Sequence, residues 1–196
     1  MRRSSYSRIA PTVLLLALVM LIPSHAFPFG SKNKTPDAKA SDVVRKATDK
    51  YNNGVKHMDM GKADESKWGS ATGWSYAPTK VTKAQGEYRK AVTDFQAAST
   101  LRPTMIEAFN NLGFCLRKLD KLQESLQAYD KALAIDSLYA PAREYRGELY
   151  LAMGNTDGAN GDLQALERIK SPLAKELTKS IEEYHTNHAN ETAAKK

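Results

Sequence analysis

The stretch from Ile106 to Tyr139, IEAFNNLGFCLRKLDKLQESLQAYDKALAIDSLY, is one 34-residue unit whose register recurs on both sides of it. Within it Asn111-Leu112-Gly113 is followed by Leu116, then by Ser125, Tyr129 and Ala132. One period of 34 residues later, Gly147, Tyr150, Ala159, Leu163 and Leu166 stand in the same places. One period before the second half stand Ala91, Phe95, Ala98 and Pro103. Gly113 and Ser125 are small where two helices of a hairpin must approach closely, and Phe109, Leu116 and Tyr129 fill the space around that contact. A fixed period of this length is the mark of stacked structural units, each relying on its neighbours to bury its apolar face.

The unit resembles the tetratricopeptide repeat family, whose pattern is W-x2-L-G-x2-Y…A-x3-F…P. Phe109 stands in the Trp place, Leu112-Gly113 match, Leu116 replaces Tyr, Ser125 replaces Ala, Tyr129 fills the aromatic place and Ser137 replaces Pro. The resemblance covers roughly Ser41 to Ile169. It implies an all-α, right-handed helical solenoid of three helix–turn–helix repeats. The third repeat, from Ala140, departs from the pattern at Arg143 and Arg146, where bulky apolar residues are usual, so its first helix is the one whose packing the sequence leaves open. Its turn, Met153-Gly154-Asn155, combines a glycine suited to a helix C-terminus with an asparagine able to cap the next helix.

The first repeat is split. Tyr51 to Gly54, His57 and Gly61 read as its first helix, and Gly86 to Phe95 as its turn and second helix, with residues 62–86 as an insertion. Tyr88, Ala91, Val92, Phe95 and Ala98 share one helical face. After the last repeat, Pro172 opens a helix with Leu173, Leu177, Ile181 and Tyr184 on one stripe, which suits the capping of an exposed end of the stack. The repeat domain is therefore expected over residues 41–188, with residues 189–196 as a disordered tail.

Before the repeats, Arg2, Arg3 and Arg8 precede an apolar run from Val13 to Ile22, and Ser24-His25-Ala26 supplies small residues at cleavage spacing. This is the composition of a secretory signal peptide over residues 1–26, with an apolar run shorter than the roughly 20 residues of a membrane-spanning helix. The expectation is a protein exported to a bacterial periplasm or secreted, without a stable membrane span after cleavage. Residues 27–40, with Pro28, Gly30 and Pro36 among lysines, read as a flexible lead-in. The whole chain has 29 Lys and Arg against 22 Asp and Glu, and without Arg2, Arg3 and Arg8 the excess falls to +4. Those charges are interleaved along the helices, which argues against a nucleic-acid footprint. The single cysteine, Cys115, permits no internal disulfide and sits inside a helix, the setting of a buried structural thiol.

No nucleophile elbow, phosphate loop, paired-cysteine or haem-attachment motif is present, so neither a catalytic set nor a cofactor is expected, and the chain is not read as an enzyme. Glu182, His185 and His188 fall on one helical face at ligand spacing. They alone speak for a small metal-binding protein or hydrolase, and their place at a fraying helix end speaks for exposed polar residues instead. The family resemblance implies binding of a protein or peptide in a concave groove lined by the first helices. Its groove positions lie three before, one after and four after each helix glycine. These are Tyr51, Val55 and Met58, then Asn110, Phe114 and Arg117, then Glu144, Glu148 and Leu151. The groove would be apolar at one end, basic in the middle and acidic at the other. A clamp for peptide C-termini is disfavoured, because its places hold Tyr51, Val55, Pro141 and Tyr145 and only Asn111 fits. The insertion contains Trp68, Trp74 and Tyr76, residue types enriched at binding hot spots, which either pack on the repeats or meet a partner. Together these features describe an exported interaction scaffold or adaptor, with a chaperone-like assembly factor of the envelope as the alternative.

Overall fold

The computed structural model describes the backbone of residues 36–67 and 83–194, all within the unit Lys34–Lys196. Seven helices stand among these residues: α1 Pro36–Lys67, α2 Lys83–Leu101, α3 Ile106–Lys118, α4 Leu122–Ile135, α5 Ala140–Ala152, α6 Thr156–Arg168 and α7 Leu173–Ala194. Consecutive helices pair as hairpins, α1 with α2, α3 with α4 and α5 with α6. The hairpins stack through α2 against α3 and α4 against α5, and α7 closes the end against α5 and α6. Among the described residues the fold is all-α, a stack of helical hairpins, as the 34-residue period implies. No described helix is long and apolar enough to cross a membrane.

The helices stop where local chemistry stops them. Pro103 cannot continue α2, which ends at Leu101. After α3, α5 and α6 the chain turns through a left-handed residue, Asp120 (φ 60°), Gly154 (φ 74°) and Lys170 (φ 53°). Each turn closes with the same two backbone bonds. Lys121, Asn155 and Ser171 donate to Leu116, Tyr150 and Leu166, and Asp120, Gly154 and Lys170 donate to Arg117, Leu151 and Glu167. This is the Schellman arrangement, which satisfies carbonyls that a helix end would otherwise strand. Asn155 then caps α6, its Oδ1 accepting from Gly158 N–H at 2.9 Å. Ser171 Oγ accepts from Leu173 N–H at 3.3 Å at the start of α7.

Close approach is obtained with glycine against a ring. A Cβ on Gly113 would sit 2.6 Å from the Tyr129 ring, and Ser125 Oγ donates to the Gly113 carbonyl at 2.7 Å. In the first hairpin Gly54 faces Phe95 and Gly61 faces Tyr88, and a Cβ on either would meet its ring at 2.7 or 2.8 Å. Both pairs are seven residues apart on antiparallel helices, so α1 and α2 continue one contact pattern for two further turns. The first hairpin is accordingly longer than the later ones. α1 starts inside the 27–40 stretch read as lead-in and runs to Lys67, while α2 begins at Lys83, so both helices enter the 62–86 stretch read as insertion, whose residues 68–82 lie outside the described residues. α7 likewise extends as helix into the 189–196 tail, as far as Ala194.

The core runs the length of the stack. Tyr88, Ala91, Phe95 and Ala98 are buried on α2, Leu112, Cys115 and Leu116 on α3, Tyr129 and Ala132 on α4, and Leu149 on α5. Leu166, Leu177 and Ile181 complete it under the capping helix. Burial pushes the Cys115 thiol up to about 12, so it is an inert core group, as its position predicts.

Arg143 and Arg146 show how α5 packs without the usual apolar residues. Asp162 on α6, 1% exposed, receives Arg143 Nη1 at 3.0 Å, Arg146 Nε at 2.8 Å and Arg146 Nη2 at 2.8 Å. Arg146 Nη1 also reaches Asp130 on α4 at 2.6 Å, and the Arg143 guanidinium donates twice to the Ser137 carbonyl. An ionic knot thus fills the place of the expected apolar side chains and ties three helices together. The bidentate fork on Asp162 gives the knot its geometry.

Candidate functional site

The first helices α1, α3 and α5 are neighbours in the stack, so the residues in equivalent registers along them fall in a row. At the α1 end Tyr51 is half-buried against Phe95, ring centroids 5.7 Å apart, and its hydroxyl accepts from Asn111 Nδ2 at 3.3 Å. Asn111 Oδ1 in turn accepts from Asn110 Nδ2 at 3.2 Å. Asn110 is 4% exposed, and its Oδ1 has no hydrogen-bond partner. One turn further along α3, Phe114 is buried between Tyr88, at 6.2 Å, and Tyr145, at 5.7 Å. Lys62 Nζ lies 4.7 Å and Lys118 Nζ 5.7 Å from the Phe114 ring centre, within cation–π range.

Arg117 sits at the centre, its guanidinium carbon 5.9 Å from both Phe114 and Tyr145. It is not a free cation in the groove. Arg117 Nη1 pairs with Glu148 at 2.7 Å, which neutralises the basic middle expected from the sequence with one of the carboxylates expected beyond it. Its Nε is buried without a partner. Glu144, 8% exposed and one turn before Glu148 on α5, is the other carboxylate. Burial pushes its pKa up to about 8, and the charge of Glu148, a hydrogen bond to Glu148 and the charge of Glu176 on α7 add to the rise, while Arg117 opposes it. Glu144 therefore carries its proton at neutral pH, held in the contact with Glu148.

The expected groove residues are thus gathered on one side of the stack but differ in access. Tyr51, Arg117 and Glu148 are part-exposed, whereas Asn110, Phe114 and Glu144 are buried. Met58 and Leu151, assigned to the groove by register, are core residues. Trp68, Trp74 and Tyr76 lie outside the described residues. Tyr145 is the member of the site that register alone assigned elsewhere. It joins Phe114, Arg117 and Tyr129, the last with centroids 6.3 Å apart, and its place two residues before Gly147 is the place Asn111 holds before Gly113.

Two histidine-containing clusters outside this row are local contacts. His57 Nδ1 meets Glu87 Oε2 at 2.6 Å, and Lys90 reaches the other oxygen of Glu87 at 2.9 Å, so this trio clasps α1 to α2. The Lys90 and His57 hydrogen bonds hold the Glu87 carboxyl below its ordinary range. Near the end of α7, His188 stacks on Tyr184 at 3.9 Å and its Nδ1 lies 2.9 Å from the Tyr184 carbonyl oxygen. Among the described residues no group of three His, Cys, Asp or Glu is placed to hold a metal ion.

Comparison with known proteins agrees with the helical repeat. Residues 106–137 match the tetratricopeptide repeat family. Those residues are α3, the turn after it and α4, the middle hairpin of the stack. Among solved structures it is similar to PcrH in complex with the chaperone binding region of PopD, at 23% identity over 53% of this chain and 82% of that one, TM-score 0.47. A tetratricopeptide repeat protein from Parabacteroides merdae is similar at 22% identity over 76% of this chain and 61% of that one, TM-score 0.47. The Arabidopsis OM64 domain is similar at 19% identity over 69% of this chain and 98% of that one, TM-score 0.47. Likeness at these levels carries no weight for what this chain binds.

Proposed function

We propose that this protein is a non-enzymatic interaction scaffold of the cell envelope that binds a protein or peptide partner along the row of first helices. The observation that carries the reading is the convergence of Tyr51, Asn110, Phe114, Arg117, Glu144 and Glu148 on neighbouring first helices of a repeat stack. The part-exposed members of that row, Tyr51, Tyr145, Arg117 and Glu148, combine aromatic and charged surface that suits an extended or helical peptide. Trp68, Trp74 and Tyr76 add partner contacts from the 68–82 stretch, because large aromatic side chains with a polar handle supply binding energy disproportionate to their number. Export rests on the sequence of residues 1–26, and N-terminal sequencing of the protein recovered from the envelope should begin at or near Phe27. A membrane-bound product with Met1 intact would rule out a cleaved signal peptide.

The binding role is tested by capture of the partner from native envelopes with the full chain and with Trp68→Ala/Trp74→Ala. A sharp fall in capture at an unchanged melting temperature supports partner contact. A variant that melts several degrees lower and still captures the partner would make both tryptophans packing residues. Phe114→Ala and Arg117→Ala extend the same comparison to the described face.

A further inference from the structure

We propose that the ammonium groups of Lys62 and Lys118 form an anion-binding patch on the row of first helices, and that its ligand is an aspartate or glutamate side chain of the partner peptide. The proposal rests on the scaffold reading above and specifies the chemistry of its ligand. Three cations surround the Phe114 ring. Lys62 Nζ from α1 lies 4.7 Å from its centre, Lys118 Nζ from α3 lies 5.7 Å away, and the Arg117 guanidinium carbon 5.9 Å. Glu148 takes Arg117 at 2.7 Å, and Glu65 takes Lys118 at 2.9 Å. Among the described residues Lys62 has a looser ion pair, at 4.0 Å, with Asp59 one turn back on its own helix, and Asp59 is 63% exposed. A pair so exposed is screened by water and holds the ammonium weakly. Lys62 is thus the least neutralised of the three cations, and it reaches across to a ring of the neighbouring helix.

Access and geometry then set the kind of ligand. The side chains of Lys62 and Lys118 are 44% and 34% exposed, against 13% for Arg117, so the two lysines are the members that a partner can reach. They come from different helices, and both ammoniums lie within cation–π range of one ring. Their mutual repulsion weakens the free protein, and an anion settling beside that ring relieves it. Each ammonium has three N–H donors, and a carboxylate offers two acceptor oxygens, one for each lysine. With Glu65 already beside Lys118, the patch suits the single charge of a carboxylate better than a phosphate dianion. The basic middle that Arg117 gives up to Glu148 is supplied by these two lysines instead.

A random-peptide display library selected against the full folded chain tests this directly. Selected peptides should share an aspartate or glutamate at a fixed place. Replacing that residue with its amide in a synthetic peptide should weaken binding to the wild type about fivefold, the scale of one charge pair at a part-exposed site. The loss should shrink at high salt, where such pairs are screened. On the double variant Lys62→Met with Lys118→Met, whose fold is checked by its melting curve, the same replacement should change affinity little. Lys62→Gln with Lys118→Gln provides the second variant should methionine perturb the fold. Peptides without a shared acidic residue, or an amide effect that persists in both double variants, would overturn the proposal and leave the scaffold reading intact. Recovery of no peptide at all would overturn both.

Discussion

Where α1 meets α2, bare glycine faces ring: Gly54 lies under Phe95 and Gly61 under Tyr88. Where α5 meets α6 and α4, the corresponding region is held by Arg143 and Arg146 around Asp162, with Asp130 at its edge. Both arrangements hold helices of the stack close together. The first does so by removing apolar surface from water, and each ring contributes in proportion to the area it buries. The second does so with charges whose attraction is largely offset by their own desolvation, so its worth lies in geometry and in the damage done when one member is missing. One periodic scaffold thus accommodates two kinds of contact that respond to mutation in different ways.

The largest effects should separate these two regions. Phe95→Ala should cost about 3–5 kcal/mol, because a fully buried ring leaves a cavity against Gly54. Asp162→Ala should cost about 3 kcal/mol, because it removes the buried carboxylate that two part-buried guanidiniums share. Replacing the knot as a whole, Arg143→Met with Arg146→Leu and Asp162→Leu, should restore stability to near wild type or above it. Chemical denaturation of these variants beside the wild type checks this. A triple variant as damaged as Asp162→Ala would show that the ionic region stabilises in its own right and would erase the distinction.

Gly113→Leu comes next. The new side chain meets the Tyr129 ring at once, and overpacking of this kind costs about 1–3 kcal/mol. A thermal melt unchanged by it would mean that α3 and α4 do not approach at Gly113.

Much of the fold is legible in the sequence, and the reason is locality. The 34-residue period places small residues at contacts and rings beside them, and the structure has Gly113 against Tyr129 and Ser125 bonded to the Gly113 carbonyl. Gly154 and Asn155 announce a turn and a cap because their own chemistry favours those roles. Asp120 and Lys170 adopt the same left-handed conformation without announcing it, since neither side chain requires it. The knot around Asp162 is hidden for a different reason. Its arginines are visible as departures from the pattern, but their partner lies 16 and 19 residues away and is chosen by packing. The candidate site is legible as a set of registers and illegible as electrostatics. The period puts Arg117 and Glu148 on one face, but only the fold shows them neutralising each other and leaving Glu144 to hold a proton.

A pH-dependent effect follows from that proton. The Glu144 carboxyl has a folded-state pKa of about 8, above the ordinary value of 4.5. A raised acid contributes stability that is present below its unfolded value and is lost as pH rises through its folded value. Wild-type stability should therefore decline between about pH 4.5 and pH 8 relative to Glu144→Gln and level off above that, by on the order of a few kcal/mol for one buried carboxyl forced to ionise. Parallel pH profiles for the two proteins would show that Glu144 ionises freely and is not shielded.

The central claim is that the row of first helices is the side of the stack that meets the partner. A photo-reactive amino acid placed at Tyr51 or at Glu148 lies on that row, and one placed at Lys131 or Gln164 lies exposed on the second helices α4 and α6. Irradiation of native envelopes should give a discrete adduct from positions 51 and 148 and none from positions 131 and 164. An adduct formed only from positions 131 and 164 would contradict the central claim and move the binding surface to the opposite side of the repeats.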